Sequence, residues 1–342
     1  MKRALITGIT GQDGSYLSEH LLNEGYDVWG LVRRTSNNPF SRLENVVNHN
    51  KAHILYGDLR DTGSLARALD ESQPDEIYNL AAQSDVWVSF KCPEEAQEIN
   101  YYGLGRLVNE AMKRNPKVRI YQASTSEMFG KSQPPQNETS PFAPVSPYGE
   151  AKLKAHQDFV EGYRERFGLF IASGILFNHE SPRRGLNFVS RKVTSTLAKI
   201  KLGLADTLTL GNLEAKRDWG YAGDYVKAMH RILQQEKPGD YVIATGESHT
   251  VREFVEAACA ALDMPITWKG SGLEEVGVTA DGKTIVTISK EFYRPVEVDY
   301  LLGDATKART ELNWTDGIGF AGLVKLMVDS DYELLKNNRA LT

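Results

Sequence analysis

The chain of 342 residues is 41% hydrophobic and 25% charged, with a mean hydropathy of −0.40, the balance of a folded, water-exposed protein with one main domain and a smaller attached lobe. Its net charge of −5, its pI near 5.9 and the lack of a basic tract exclude nucleic acid as a partner, and no apolar run reaches membrane-spanning length. Cys92 and Cys259 are the only cysteines and no His/Cys group has ligand spacing, so reduced thiols and no metal site are expected, in a cytoplasmic chain whose first residues lead directly into a strand.

The first predicted strand, Ala4 to Thr7, ends in Gly8-Ile9-Thr10-Gly11-Gln12-Asp13-Gly14, and a helical pattern follows from Ser15 to Glu24 with Leu17, Leu21 and Leu22 on one face. Glycines between a strand and a helix permit a tight turn and close backbone approach, and the helix start offers N–H groups to a pyrophosphate. The loop is a candidate dinucleotide site, with Gly8, Thr10, Gly11, Gln12 and Asp13 as contacts; a plain strand-to-helix turn is the alternative. A second strand, Tyr26 to Val32, leads into Arg33-Arg34-Thr35-Ser36. An NAD site carries a carboxylate here for the ribose 2′-hydroxyl, whereas guanidinium and hydroxyl groups suit a 2′-phosphate. Arg33, Arg34 and Ser36 therefore favour NADP, unless they are a solvated cluster on a loop.

His53 to Gly57 is the third strand and closes on Asp58-Leu59, where Asp58 either caps the helix predicted over 62–72 or meets the adenine. The strand Glu76 to Leu80 runs into Ala81-Ala82-Gln83-Ser84, small residues that let a cofactor lie along the backbone at Leu80, Ala81, Ala82 and Ser84. A long helix from about Glu95 to Asn115 and the strand Val118 to Ala123 continue the alternation. The pattern predicts an α/β fold, a doubly wound parallel sheet with ligands at the carboxyl ends of its strands.

Ser124-Thr125-Ser126-Glu127 falls at such an end. After a proline-rich loop from Pro134 to Pro147, Tyr148 and Lys152 lie one turn apart on one face of a helix. They are either an ordinary surface pair or a reactive one, in which the ammonium favours phenolate and Tyr148 takes a hydroxyl proton while hydride leaves the carbon. The strand Leu169 to Leu176 then ends in Phe177 to Gly185. A main domain over 1–177, a return to its sheet near 209–230, and a smaller α/β substrate-binding lobe over most of 178–342 are expected. Arg191 and Lys192 on a helix from Phe188 to Leu202, Lys216-Arg217, and the run Arg294 to Asp299 supply local positive charge that suits a diphosphate or forms separate ion pairs. The glycine-rich stretch Ser271 to Thr284 is predicted to be an exposed loop or hairpin.

The residues at Gly8 to Gly14, Asn79 to Ser84, Ser124 to Glu127, Ser146 to Lys152, Phe177 to Gly185, Lys216 to Trp219 and Arg294 to Asp299 follow one another as in the extended short-chain dehydrogenase/reductases (Rossmann fold). Within that group the chain resembles the GDP-mannose 4,6-dehydratase family nearly end to end, most specifically through Phe177-Asn178-His179-Glu180-Ser181-Pro182. It departs from the family pattern at Glu95, where a cofactor-contacting tyrosine is usual, in a loop one residue shorter after Glu127, and in a longer segment over 271–284. The resemblance implies an NADP-dependent hydro-lyase on GDP-mannose, with Thr125, Ser126, Glu127, Tyr148 and Lys152 catalytic. It further implies that Arg33, Ser36, Asp58, Leu59, Ala81, Ser84, Tyr148, Lys152, His179 and Arg184 line the NADP site. Asn178, Lys192, Arg217, Arg294 and Glu297 would hold the nucleotide diphosphate and ribose, with Ser84, Thr125 and Glu127 at the sugar. It also implies a homodimer or homotetramer. Dehydration of a GDP-linked heptose and an NAD(P)-dependent nucleotide-sugar epimerase or reductase are the neighbouring readings.

Overall fold

The computed structural model describes residues 1–36, 38–293, 298 and 300–340, so Arg294 and Glu297 lie outside the described residues. The chain divides into two compact units, the first made of Met1–Phe177, Ala222–Ala244 and Gly303–Thr315. Its sheet has seven strands, β1 (Arg3–Thr7), β2 (Asp27–Val32), β3 (Ala52–Tyr56), β4 (Glu76–Asn79), β5 (Arg119–Thr125), β6 (Ile171–Leu176) and β7 (Asp240–Ile243). Their spatial order is β7-β6-β5-β4-β1-β2-β3 and every pairing is parallel. Helices α1 (Gln12–Asn23), α2 (Thr62–Ser72), α3 (Gly103–Arg114), α4 (Pro147–Ala155) and α5 (Ala222–Leu233) surround it.

Strand side chains alternate between faces, so register across the sheet decides what each face buries. Leu5, Ile77, Ile120 and Ile171 stand in one row across β1, β4, β5 and β6, and the row packs with Leu65 and Leu69 of α2 and Leu104, Leu107 and Val108 of α3. On the other face α1 packs against α5. The helix expected over 95–115 is a continuous helical run from Pro93 to Arg114 with a π-helical turn at Glu98–Tyr102. Two expectations are corrected in this unit. The cap of α2 is Asp61, whose carboxylate accepts from the Gly63 and Ser64 N–H groups, while Asp58 is held by Arg60. The return to the main sheet starts at Ala222 and not near 209, because Leu208–Leu210 pairs in parallel with Thr284–Ile288 of the second unit.

The second unit, Asn178–Tyr221, Thr245–Leu302 and the chain from Asp316 on, has its own core. Helices Val189–Lys201, Val251–Ala261 and Phe320–Ala340 bury Val193, Leu197, Phe254, Val255, Leu323 and Met327 with Val286 of a four-stranded sheet. The glycine-rich stretch becomes the hairpin Val276–Thr279/Thr284–Ile288 of that sheet, with Gly282 in the left-handed region at its turn.

Candidate active site

The glycine loop joins β1 to α1, and its shape demands glycine at two places. Gly8 has φ +72°, and a Cβ there would lie 2.8 Å from the Ala81 nitrogen, so the end of β1 and the end of β4 touch backbone to backbone. A Cβ on Gly14 would lie 2.4 Å from the Gly8 oxygen and 2.5 Å from Ile9 Cα, which lets α1 begin directly against the loop. Gly11 is the N-cap of α1 and no side chain caps it. This is a backbone cradle with helix N–H groups at its floor, and it fits a dinucleotide pyrophosphate. Arg42, not singled out in the sequence, donates to the Thr10 carbonyl oxygen at 3.3 Å and braces the loop.

At the next two strand ends, Arg33, Arg34 and Ser36 are exposed beyond β2, and Asp58 is partly buried beyond β3. The Arg60 fork donates to both Asp58 oxygens, at 3.0 and 2.7 Å. This hydrogen-bonded pair, with the charge of Arg33 adding to it, holds the Asp58 carboxyl below the usual carboxylate range. The sole carboxylate among the residues expected at the adenosine end is thus taken up by the Arg60 guanidinium. Leu59 is buried, Ala81 and Ala82 are partly buried and Ser84 is exposed.

Thr125 ends β5 and caps the short 3₁₀ turn Ser126–Met128, its hydroxyl accepting from the Glu127 N–H at 3.2 Å. Ser126 and Glu127 are buried. The turn rests on α4: a Cβ on Gly149 would be 2.8 Å from the Glu127 carbonyl oxygen, so Tyr148 and Glu127 belong to segments in direct backbone contact. Ser146 caps α4 by accepting from the Gly149 N–H, and Pro147 occupies the first turn, where its missing N–H costs nothing. Tyr148 and Lys152 are buried, with the Lys152 nitrogen 6.0 Å from the Tyr148 ring centroid. Burial pulls the Lys152 ammonium down to about 8. Its one hydrogen bond among the described residues runs 2.9 Å to the Ala123 carbonyl oxygen. The structure therefore brings the five expected catalytic residues onto two touching segments at the carboxyl end of β5.

In the second unit, His179 and Asn178 lie on the short strand Asn178–Glu180, paired in parallel with Trp219–Tyr221. Arg184 stacks over the Phe188 ring at 3.7 Å, and its Nε lies 3.1 Å from the buried Glu180 carboxylate. Lys192 sits over the Phe292 ring at 3.3 Å, and burial lowers its pKa. Arg217 is buried and donates to the Lys216 carbonyl oxygen. Arg191, for which the sequence leaves a diphosphate contact and a separate ion pair both open, forms the ion pair, with buried Asp331 at 2.6 Å, and donates to the Pro182 and Arg184 carbonyl oxygens. Among the described residues, His156, Glu161 and Asp240 are the one group close enough to share a metal ion. Both Asp240 oxygens are taken by the Arg164 fork, at 2.8 and 2.9 Å, so the cluster reads as an ion pair.

A sequence model of the family described as GDP-mannose 4,6 dehydratase matches residues 5–327. The chain is 51% identical over 346 residues to the GDP-mannose 4,6 dehydratase of Homo sapiens, covering 98% of this chain and 92% of that protein. It is 50% identical over 350 residues to GDP-mannose 4,6 dehydratase 1 of Arabidopsis thaliana, covering 99% and 92%. Among solved structures, UDP-glucose 4-epimerase of Thermus thermophilus in complex with NAD superposes with a TM-score of 0.78 at 27% identity, over 96% of this chain and 98% of the other. The glycine cradle, the Ser-Thr-Ser-Glu turn against the Tyr-Lys helix and these near full-length matches lead to one conclusion: the chain belongs to the GDP-mannose 4,6 dehydratase family.

Proposed function

We infer that the protein is a hydro-lyase that converts GDP-mannose to GDP-4-keto-6-deoxymannose. The observation that carries this reading is the contact between the turn bearing Glu127 and the helix bearing Tyr148 and Lys152. An epimerase needs the tyrosine and lysine alone; a dehydratase also needs a proton-transfer group at the neighbouring carbon. A nicotinamide adenine dinucleotide phosphate, which the Gly8–Gly14 loop and the start of α1 would hold, would supply an acceptor, and later a donor, of two electrons. Tyr148 takes the proton of the sugar C4 hydroxyl, and the Lys152 ammonium stabilises the phenolate. The resulting C4 carbonyl acidifies C5–H. Glu127 removes the C5 proton and returns a proton to the C6 hydroxyl as water leaves, while Thr125 and Ser126 hold the sugar oxygens. The hydride removed from C4 ends on C6 and C5 regains a proton, the one taken from the C4 hydroxyl balancing the count, so the sugar changes by the loss of one water and no net oxidation.

Several observations support the 2′-phosphorylated cofactor: the exposed Arg33, Arg34 and Ser36, and the Arg60 pair that offsets Asp58. Asn178, Lys192 and Arg217 are assigned to the nucleotide diphosphate, together with Arg294 and Glu297, which lie outside the described residues. His179 and Arg184 are assigned to the cofactor. The family resemblance supports a homodimer or homotetramer. No helix among the described residues is long and apolar enough to cross a membrane, and free Cys92 and Cys259 suit a reducing cytoplasm. The test is the product mass: GDP-mannose incubated with the protein loses 18 mass units, as one water requires, and Glu127→Gln binds the nucleotide sugar without that loss. Full conversion by Glu127→Gln would remove Glu127 from the reaction, and an unchanged mass with wild type would favour an epimerase.

A further inference from the structure

Two residues beyond the apolar row on the sheet, the same four strands carry a polar row. Thr7, Asn79, Gln122 and Ser173 are in register across β1, β4, β5 and β6, and none is more than 3% exposed. Burying hydroxyl and amide groups in this layer is costly unless each is paired. Thr7, Asn79 and Gln122 are paired in a continuous chain, and Ser173 is paired apart from it. The Ala81 N–H donates to Thr7 Oγ1 (3.2 Å), the Thr7 hydroxyl to Asn79 Oδ1 (2.6 Å), and Asn79 Nδ2 to Gln122 Oε1 (2.7 Å). Gln122 Nε2 then donates to the Ala123 carbonyl oxygen at 2.8 Å, the same oxygen that receives the Lys152 ammonium at 2.9 Å. At the end of the row, the Ser173 hydroxyl donates to Ser124 Oγ at 2.8 Å, at the entrance to the Ser-Thr-Ser-Glu turn.

We infer that Gln122 is a positioning residue for Lys152: its amide shares the Ala123 carbonyl with the ammonium and fixes that acceptor from the cofactor-facing backbone at Ala81. The inference rests on the role given to Lys152 above. Apolar side chains would fill this layer at lower desolvation cost, as they do two residues earlier. What the polar row adds is direction: each link has a single donor sense, and the last link sets where a buried ammonium finds its oxygen. Ala123 O has two lone pairs, and the two donors occupy both. Loss of Gln122 Nε2 frees the Ala123 carbonyl to tilt and Lys152 to follow it.

The test is a double-mutant cycle with single-turnover cofactor reduction on GDP-mannose as the rate, and a lysine resonance in the cofactor-free protein as the second readout. Gln122→Leu is expected to lower the rate about 10- to 100-fold, the loss that a small misplacement of a reacting group produces. In a Lys152→Ala background the same substitution is expected to cause no further loss. Gln122→Met guards against misfolding, since it keeps nearly the volume and the unbranched shape of the side chain and adds no charge; it should follow Gln122→Leu in both backgrounds. In 15N-lysine-labelled protein without cofactor, the Lys152 ammonium signal should move in both variants. Equal losses with and without Lys152, or an unmoved signal, would overturn the inference and leave Gln122 a packing residue. A wild-type rate for Lys152→Ala by itself would show that the role of Lys152 is wrong, and the inference would go with it.

Discussion

Replacing Lys152 by methionine should change how stability depends on pH, and the size of the change follows from its burial. The ammonium sits on α4 with 3% of the residue exposed, and burial lowers its pKa from 10.5 to about 8. The group is a base with a depressed folded-state pKa, so between those values the unfolded chain binds more protons than the folded one, and stability rises with pH. Below pH 8 the protein carries the full cost of a buried charge; as pH climbs through 8 toward 10.5 the cost is relieved. At about 1.4 kcal/mol per pKa unit the whole effect is on the order of 3 kcal/mol, and about 2 kcal/mol of it is relieved between pH 7 and 9.5. Methionine has a similar length and no charge. Urea unfolding of cofactor-free wild type and Lys152→Met at both pH values isolates the term, because the two proteins share every other titrating group. The wild type should gain about 2 kcal/mol on the variant between pH 7 and 9.5. A difference that stays level with pH would mean that the ammonium is solvated, and the proposed pairing with Tyr148 would lose its low-dielectric setting.

Tyr148→Phe should slow cofactor reduction by about 10²- to 10⁴-fold with little change in nucleotide-sugar affinity, the range that loss of a general base commands; stopped-flow absorbance at the reduced-nicotinamide band reads it. Arg33→Ala should weaken NADP binding more than NAD binding, and equal losses in a fluorescence titration would remove Arg33 from the 2′-phosphate. Asp331→Asn leaves the buried Arg191 guanidinium without its counter-ion and should cost about 3 to 5 kcal/mol in urea unfolding, whereas an exposed pair such as Lys325–Asp329 should contribute under about 1 kcal/mol.

The parts of this molecule legible in the sequence are those encoded by near neighbours. Gly8, Gly11 and Gly14 announce a strand-to-helix cradle because the constraint on each is met within a few residues, apart from the contact of Gly8 with Ala81. Tyr148 and Lys152 share a helix face by spacing alone. What stays hidden is decided by distant partners. One exception is local: with the helix starting at Thr62 the adjacent Asp61 is its cap, while Arg60 occupies Asp58. Leu208-Thr209-Leu210 is an apolar run that either sheet could accept; its pairing with Thr284–Ile288, more than seventy residues on, makes it part of the second unit. Arg191 and Lys192 look alike as a basic pair, yet adjacent helix positions point about 100° apart. One therefore reaches Asp331 in the interior while the other stays partly exposed over Phe292. The row Thr7–Asn79–Gln122 is the deepest case, since its members are separated by 72 and 43 residues and become neighbours only when β1, β4 and β5 settle into register. A candidate catalytic side chain such as Lys152 is thus written locally, while the groups proposed to aim it are written in the pairing of the strands, and a slip of one residue in that pairing would turn a strand's share of the polar row to the opposite face.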